Sequence, residues 1–227
     1  MAEPTRARQF YKMSIGAAHQ AGHALLAIYM QGSFGQYATT VGDPAHGLRL
    51  LRDASARLPR SAPNTARAWL ACLEAVALGY LGDRDALKFI DDAERHASAR
   101  VSVEPVWPWV FEFDSVKIAS YRAITAARLG LPKMAADAFY QAEASTRSPK
   151  QAAIVATEQA RALAAGGQLD HACDLAMTAY DIGYSYDSER VRQAVADFRA
   201  SLGPRAPQRI TAGLDERLHS AYTTRAT

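Results

Sequence analysis

The sequence predicts an all-α fold, a right-handed α-solenoid of about four helix hairpins closed by C-terminal capping helices. Alanine makes up about a fifth of the chain, and this favours helices because alanine loses no side-chain entropy in them. Helix stops recur along the chain, and small residues follow each stop at a nearly constant spacing. Such regular recurrence of helix pairs is typical of solenoid proteins.

Four apolar segments end in a glycine, namely Gly42, Gly82, Gly130 and Gly167. A small residue follows each glycine after five positions, or after four in the second segment, and an alanine follows seven positions later. The resulting pairs are Gly47 and Ala54, Ala86 and Ala93, Ala135 and Ala142, and Ala172 and Ala179. Seven residues are two helical turns, so both members of a pair lie on one face, where a partner helix can approach closely.

This pattern places hairpins at 16–58, 64–98, 108–147 and 149–183, with further helices at 187–202 and 210–223. Prolines directly after Asp43 and Ser148 indicate two helix starts, each with a capping side chain before the proline. The predicted organisation is an N-terminal extension at 1–15, a repeat domain at 16–203, and a C-terminal tail at 204–227 that contains the last helix.

Composition argues against several classes of protein. The net charge of +3 comes from intermixed acidic and basic residues, whereas nucleic-acid binders concentrate positive charge on one face. Cys72 and Cys173 lie in helical segments about a hundred residues apart and are predicted to be buried free thiols rather than a disulfide framework. No apolar run is long enough for a signal peptide or a membrane span. We therefore expect a cytoplasmic protein that does not contact membranes.

The repeat resembles tetratricopeptide repeats, whose second-helix alanines are spaced as Ala135 and Ala142 are here. Three stretches resemble the C-terminal tetratricopeptide-like domain of actinobacterial helix-turn-helix transcriptional regulators: 42–51, 109–114 leading to 128–130, and 188–202. The resemblance covers about 15–203 and implies a module that senses a ligand or mediates dimerisation. In that family a separate N-terminal domain binds DNA, so we expect no DNA contact by this segment itself.

In tetratricopeptide stacks the first helices of successive hairpins line a concave groove. The resemblance places on it Tyr29, Gln36, Trp69, Cys72, Tyr80, Lys117, Ser120, Arg128, Thr157 and Arg161. Lys117, Arg128 and Arg161 could together hold a carboxylate, such as a peptide terminus or acidic side chains. Alternatively, these cations pair with Glu112, Asp114 and Glu158 of the chain itself.

The densest aromatic segment is 107–113, in the insertion between the second and third repeats. It either fills a gap between hairpins, since Trp and Phe bury large areas, or forms one wall of a ligand pocket. In the second interpretation Trp107 is the tryptophan expected to meet a ligand.

Signals for an enzyme are weak. His19 and His23, four residues apart in a helix, could reach one metal ion, but no third ligand follows nearby. The segment 124–133 imitates a helix-turn-helix, yet the helix after it, 134–144, contains no Arg or Lys for phosphate contacts. No carboxylate pair, catalytic triad or phosphate-binding loop stands out. We expect no catalytic activity, metal or cofactor.

Two functions remain open. One is a sensing or interaction module for a protein, a peptide or a small-molecule effector. The other is a structural scaffold or homodimerisation module without a small-molecule site.

Overall fold

The computed structural model describes residues 2–99, 113–142, 148–204 and 206–223. The secondary structure of these residues is helical and includes no strand, which confirms the all-α prediction. The helices are α1 (Ala2–Gln20), α2 (Ala24–Thr40), α3 (Pro44–Arg57), α4 (Asn64–Tyr80), α5 (Ala86–Ser98), α6 (Ser115–Arg128), α7 (Pro132–Gln141), α8 (Pro149–Ala165), α9 (Leu169–Ser185), α10 (Glu189–Ser201) and α11 (Gln208–Thr223).

The chain divides into two compact units, 1–125 and 126–227. In unit 1, each helix from α1 to α5 contacts the next, and α2 also contacts α4. Helix α4 is buried along most of its length and forms the centre of this unit. In unit 2, successive helices from α7 to α11 are in contact, and α8 also contacts α10 while α9 contacts α11.

The four glycines predicted to end helices do so in the left-handed backbone region. Their φ angles are 97° at Gly42, 75° at Gly82, 67° at Gly130 and 84° at Gly167. This conformation lets the residues after a helix bond its last carbonyls, as the backbone N–H of Gln168 does to the carbonyl of Leu163 at 2.9 Å. The predicted turns after α2, α4, α6 and α8 are therefore confirmed.

The predicted small residues lie at the helix contacts. Gly47 is buried, and the other seven members of the four pairs are each 0% exposed: Ala54, Ala86, Ala93, Ala135, Ala142, Ala172 and Ala179. Because none of these side chains extends beyond Cβ, the paired helices can approach closely.

The predicted boundary at residue 16 lies inside a helix. Helix α1 begins at Ala2 and ends before Gly22, which has φ 67°. His23 is the N-cap of α2, and its Nδ1 accepts a hydrogen bond from the backbone N–H of Leu26. Histidine is not among the preferred N-cap residues, so the sequence contains little sign of this start.

Helices α2 and α3 approach closely at Gly47. A Cβ atom on Gly47 would overlap Oγ1 of Thr39 and lie 2.7 Å from the carbonyl oxygen of Gly35. We expect Gly47→Ala to lower the free energy of unfolding by about 1–2 kcal/mol in urea denaturation, because the helices must separate. Gly16→Ala is the control, since nothing lies within 4 Å of its Cβ position, and alanine there should stabilise α1 by about 0.5–1 kcal/mol. A change of the same sign in both variants would contradict this packing.

Cys72 and Cys173 are both buried and unbonded to each other, as predicted. No helix in the described ranges combines the length and the apolar character needed to cross a bilayer.

Candidate functional site

The predicted groove residues of unit 1 are largely engaged in packing. Tyr29 of α2 stacks on Trp69 of α4 with ring centroids 5.3 Å apart, and Trp69 is 5% exposed. The Trp69 ring also fills the space beside Gly32, where a Cβ atom would lie 2.7 Å from it. Trp69 thus joins α4 to α2 and offers little surface to a ligand.

The other predicted residues of unit 1 are dispersed. Gln36 and Tyr80 are half-buried on α2 and at the end of α4. Lys117 is half-buried in the first turn of α6, where its backbone N–H donates to the carboxylate of Asp114 at 2.9 Å. Trp107 lies outside the described residues, as does Glu112.

The two predicted cations of unit 2 converge on a buried carboxylate. Glu158 of α8 is 1% exposed. Nε of Arg128 donates to Oε2 of Glu158 at 2.7 Å, and Nη2 of Arg128 donates to Oε1. This two-point contact is the strong geometry for an arginine–carboxylate pair. The Arg128 side chain is itself only 14% exposed, so the pair is shielded from solvent.

Arg161 approaches the same carboxylate from one turn further along α8. Its Nε lies 3.5 Å from Oε2 of Glu158, and its Nη1 donates to Oγ of Ser201 at 2.8 Å. Its guanidinium carbon is 5.9 Å from the ring centroid of Phe198. Arg161 therefore connects α8 to α10, and Glu158 already supplies the negative charge between the two arginines. Of the two interpretations open from the sequence, this arrangement corresponds to pairing within the chain.

A groove between α7 and α8 lies on unit 2 and has a volume of about 550 Å³. Its floor is apolar and consists of Phe139, Val155, Ala162 and Leu163. Its rim is formed by Pro132, Lys133, Ala136, Tyr140, Gln159, Gly166 and Gln168. A volume of this size, with an apolar floor and few polar groups, is typical of small-ligand sites, which span about 300–1,000 Å³. We call it the α7–α8 groove.

The two ends of the α7–α8 groove differ chemically. A Cβ atom on Gly166 would lie 3.5 Å from Cβ of Pro132, so the start of α7 lies beside the end of α8. Lys133 is at this end. Tyr140, 80% exposed, lies about 10 Å further along α7 at 1.5 Å per residue. The groove therefore has a cationic end and an aromatic end.

The polar side chains at the rim are available to a ligand. Within the described part of the chain, the side chains of Lys133, Gln159 and Gln168 form no hydrogen bond or ion pair. The start of α7 adds backbone donors, because Leu131 at its N-cap provides no side-chain hydrogen bond to the first turn. Burial of an apolar ligand on this floor would thus leave polar groups free to orient it.

None of the residues that the sequence singled out as groove residues lines the α7–α8 groove. Its residues do carry a helical signal, since 133, 136 and 140 recur on one face of α7 and 155, 159, 162 and 166 on one face of α8. That signal does not distinguish a groove wall from an ordinary amphipathic face.

Unit 1 contains a buried carboxyl group of a different kind. Glu74 of α4 is 5% exposed and accepts a hydrogen bond from Oγ of Ser55 at 2.5 Å. Burial raises the pKa of Glu74, and the Ser55 hydrogen bond and the charge of Arg52 offset this only in part. A carboxyl group with a raised pKa is found in many active sites, but no second carboxyl group among the described residues has a raised pKa.

The raised pKa of Glu74 has a consequence for stability. The folded chain holds this proton more tightly than the unfolded chain, so the native protein loses stability as the pH rises from about 4.5 through the folded-state pKa. We expect Glu74→Gln to remove this loss. In urea denaturation, the free energy of unfolding of the variant should therefore increase relative to that of the native protein as the pH rises over this range. Asp215→Asn is the contrasting control. The hydrogen bond from Arg199 lowers the pKa of Asp215 from its ordinary value of 3.8, so the protein with the native Asp215 becomes more stable as the pH rises towards that value. A pH-independent difference for Glu74→Gln would contradict the assignment.

His19 and His23 do not share a further ligand in the part of the chain described here, where no group of three metal-binding side chains occurs. His23 instead caps α2.

Comparison with known proteins finds no matching family model, no matching curated protein and no matching solved structure.

Proposed function

We propose that this chain is a tetratricopeptide-like helical repeat module of the cytoplasm that binds a peptide or a small ligand. In this proposal it acts as the sensing part of a transcriptional regulator and catalyses no reaction. The glycine turns, the buried small residues and the contacts of each helix with its next neighbours support a repeat architecture.

The α7–α8 groove carries the proposal for binding. It joins an apolar floor to polar side chains that the described residues leave unengaged, and this combination binds and orients small ligands in many proteins. The Arg128–Glu158 contact supports a ligand in the α7–α8 groove and argues against one between Arg128 and Arg161. A ligand carboxylate between the two arginines would have to displace the buried carboxylate of Glu158.

Fluorescence titration with anilinonaphthalene sulfonate, a probe of apolar grooves, tests the proposal. Ala136 is exposed on the rim, so Ala136→Trp should fill the α7–α8 groove without disturbing the core and lower the probe affinity by about tenfold or more. Ala200→Trp adds the same side chain at an exposed position of α10 away from the groove and should leave the affinity unchanged. Equal affinity in both variants would exclude the groove as the site.

The structural alternative also has an observation in its favour. Phe10 and Met13 are 56% and 68% exposed and lie one turn apart on α1. An exposed apolar pair of this kind is common in contact surfaces between proteins. If the chain is a homodimerisation module that uses this face, Phe10→Ser with Met13→Ser should convert a dimer to a monomer in size-exclusion chromatography with light scattering.

A further inference from the structure

The two ends of the α7–α8 groove restrict the chemistry of its ligand. Lys133 and the uncapped first turn of α7 place positive charge at one end. Asp137, one turn further along α7, is exposed and forms no ion pair with Lys133 in the described chain. The cationic end is therefore complementary to an anionic group.

The floor of the α7–α8 groove favours a hydrocarbon over a peptide. Phe139, Val155 and Leu163 lie on helices whose backbone groups bond within the helix. Between Lys133 at one end and Tyr140 at the other, an extended peptide would find only the amides of Gln159 and Gln168 for its own N–H and C=O groups, and unmatched amides are costly to bury. A methylene chain leaves no polar group unmatched.

The length of the α7–α8 groove sets the size of the ligand. Lys133 and Tyr140 are seven residues apart on α7, and Val155 and Gly166 are eleven apart on α8. At 1.5 Å per residue these separations are about 10 Å and about 16 Å. An extended medium-length acyl chain has this length.

We infer that the α7–α8 groove binds a medium-chain carboxylic acid, with its carboxylate at Lys133 and its hydrocarbon tail on Phe139, Val155 and Leu163. This inference rests on the proposed function and names the ligand class for the same groove. The tail would end beside Tyr140, whose ring is exposed and can fold over it to bury further apolar area.

Isothermal titration of the full chain with decanoate, octanoate and decanol tests the ligand class. Decanoate should bind about tenfold more tightly than octanoate, because two further methylenes are buried. It should also bind about fivefold more tightly than decanol, since the carboxylate gains the exposed Lys133 charge.

Variants separate the charge from the tail. Lys133→Met retains the apolar stem and should weaken decanoate binding about fivefold to the level of decanol, without changing decanol binding. Lys150→Met is the matched control, since Lys150 is an exposed lysine of α8 that does not line the groove. Ala136→Trp should weaken decanoate and decanol alike.

Three outcomes would overturn the inference. Equal binding of decanoate and decanol would remove the carboxylate assignment while leaving the groove as a binding site. Tighter binding of a short peptide with apolar side chains and a free C-terminus than of decanoate would replace the acid with a peptide. Binding of decanoate that Ala136→Trp does not change would place the acid elsewhere, and the proposed function would fail as well if the probe titration were also unaffected.

Discussion

Replacement of Glu158 by alanine is expected to destabilise the protein by about 3–5 kcal/mol, because it removes one partner of a buried ion pair and leaves the other without compensation. Glu158 is 1% exposed and accepts two hydrogen bonds from Arg128. Arg161 pairs with the same carboxylate and donates a hydrogen bond to Oγ of Ser201 on α10. In urea denaturation, the midpoint should shift to a lower urea concentration, while the folded variant keeps the helix content of the native protein.

Glu94→Ala is the matched control, since its side chain is 49% exposed and pairs with Arg122 at 2.7 Å. An exposed pair of this type contributes at most about 1 kcal/mol. The double variant Arg128→Ala with Arg161→Ala should also lose stability. If Glu158→Ala and Glu94→Ala shift the midpoint equally and slightly, the arginines are not held by Glu158, and the interpretation as a clamp for an external carboxylate returns.

Substitution of Ala135 by leucine is expected to lower the free energy of unfolding by about 3 kcal/mol, at the upper end of the cost of overpacking. Ala135 is 0% exposed on α7, while the adjacent Ala136 is exposed on the same helix. The two variants add the same atoms to neighbouring positions, so Ala136→Leu controls for helix propensity and composition. Only the leucine at position 135 has to push packed helices apart.

Ala172 provides a second buried site for this comparison. It is 0% exposed and belongs to the apolar core of unit 2 together with Phe198 and Leu214. Ala172→Leu should therefore behave as Ala135→Leu does. Equal midpoints for the three leucine variants would show that the small residues do not mark helix contacts and would remove the support for a repeat.

The turns and the helix contacts were predictable because their causes are local. Gly130 and Gly167 occupy backbone conformations that other residues adopt at a cost, and the alanines spaced two turns apart follow the geometry of a single helix. The N-cap of α2 at His23 was not predictable in this way. Its signal is one weak cap, and the residues before Gly22 have the composition of a continuous helix.

The candidate site was predictable only in part because it depends on how helices are rotated against one another. The charges of Arg128, Glu158 and Arg161 are evident in the sequence, and pairing with Glu158 was one of two alternatives. The choice between them requires the approach of α8 to the end of α6. The α7–α8 groove likewise depends on how two helices pack, and the small residue Ala136 on its rim is of a kind common on any alanine-rich surface.

The helix contacts within each unit also bear on how quickly the chain folds. Among the described residues, the main contacts join helices one or two places apart along the chain. The loops that must close before these contacts form are short, so little chain entropy is lost ahead of the gain from packing. Small helical domains dominated by local contacts fold within about microseconds to milliseconds. A newly synthesised helix here meets its neighbours as soon as the next helix has formed, and it does not have to await the distant end of the chain.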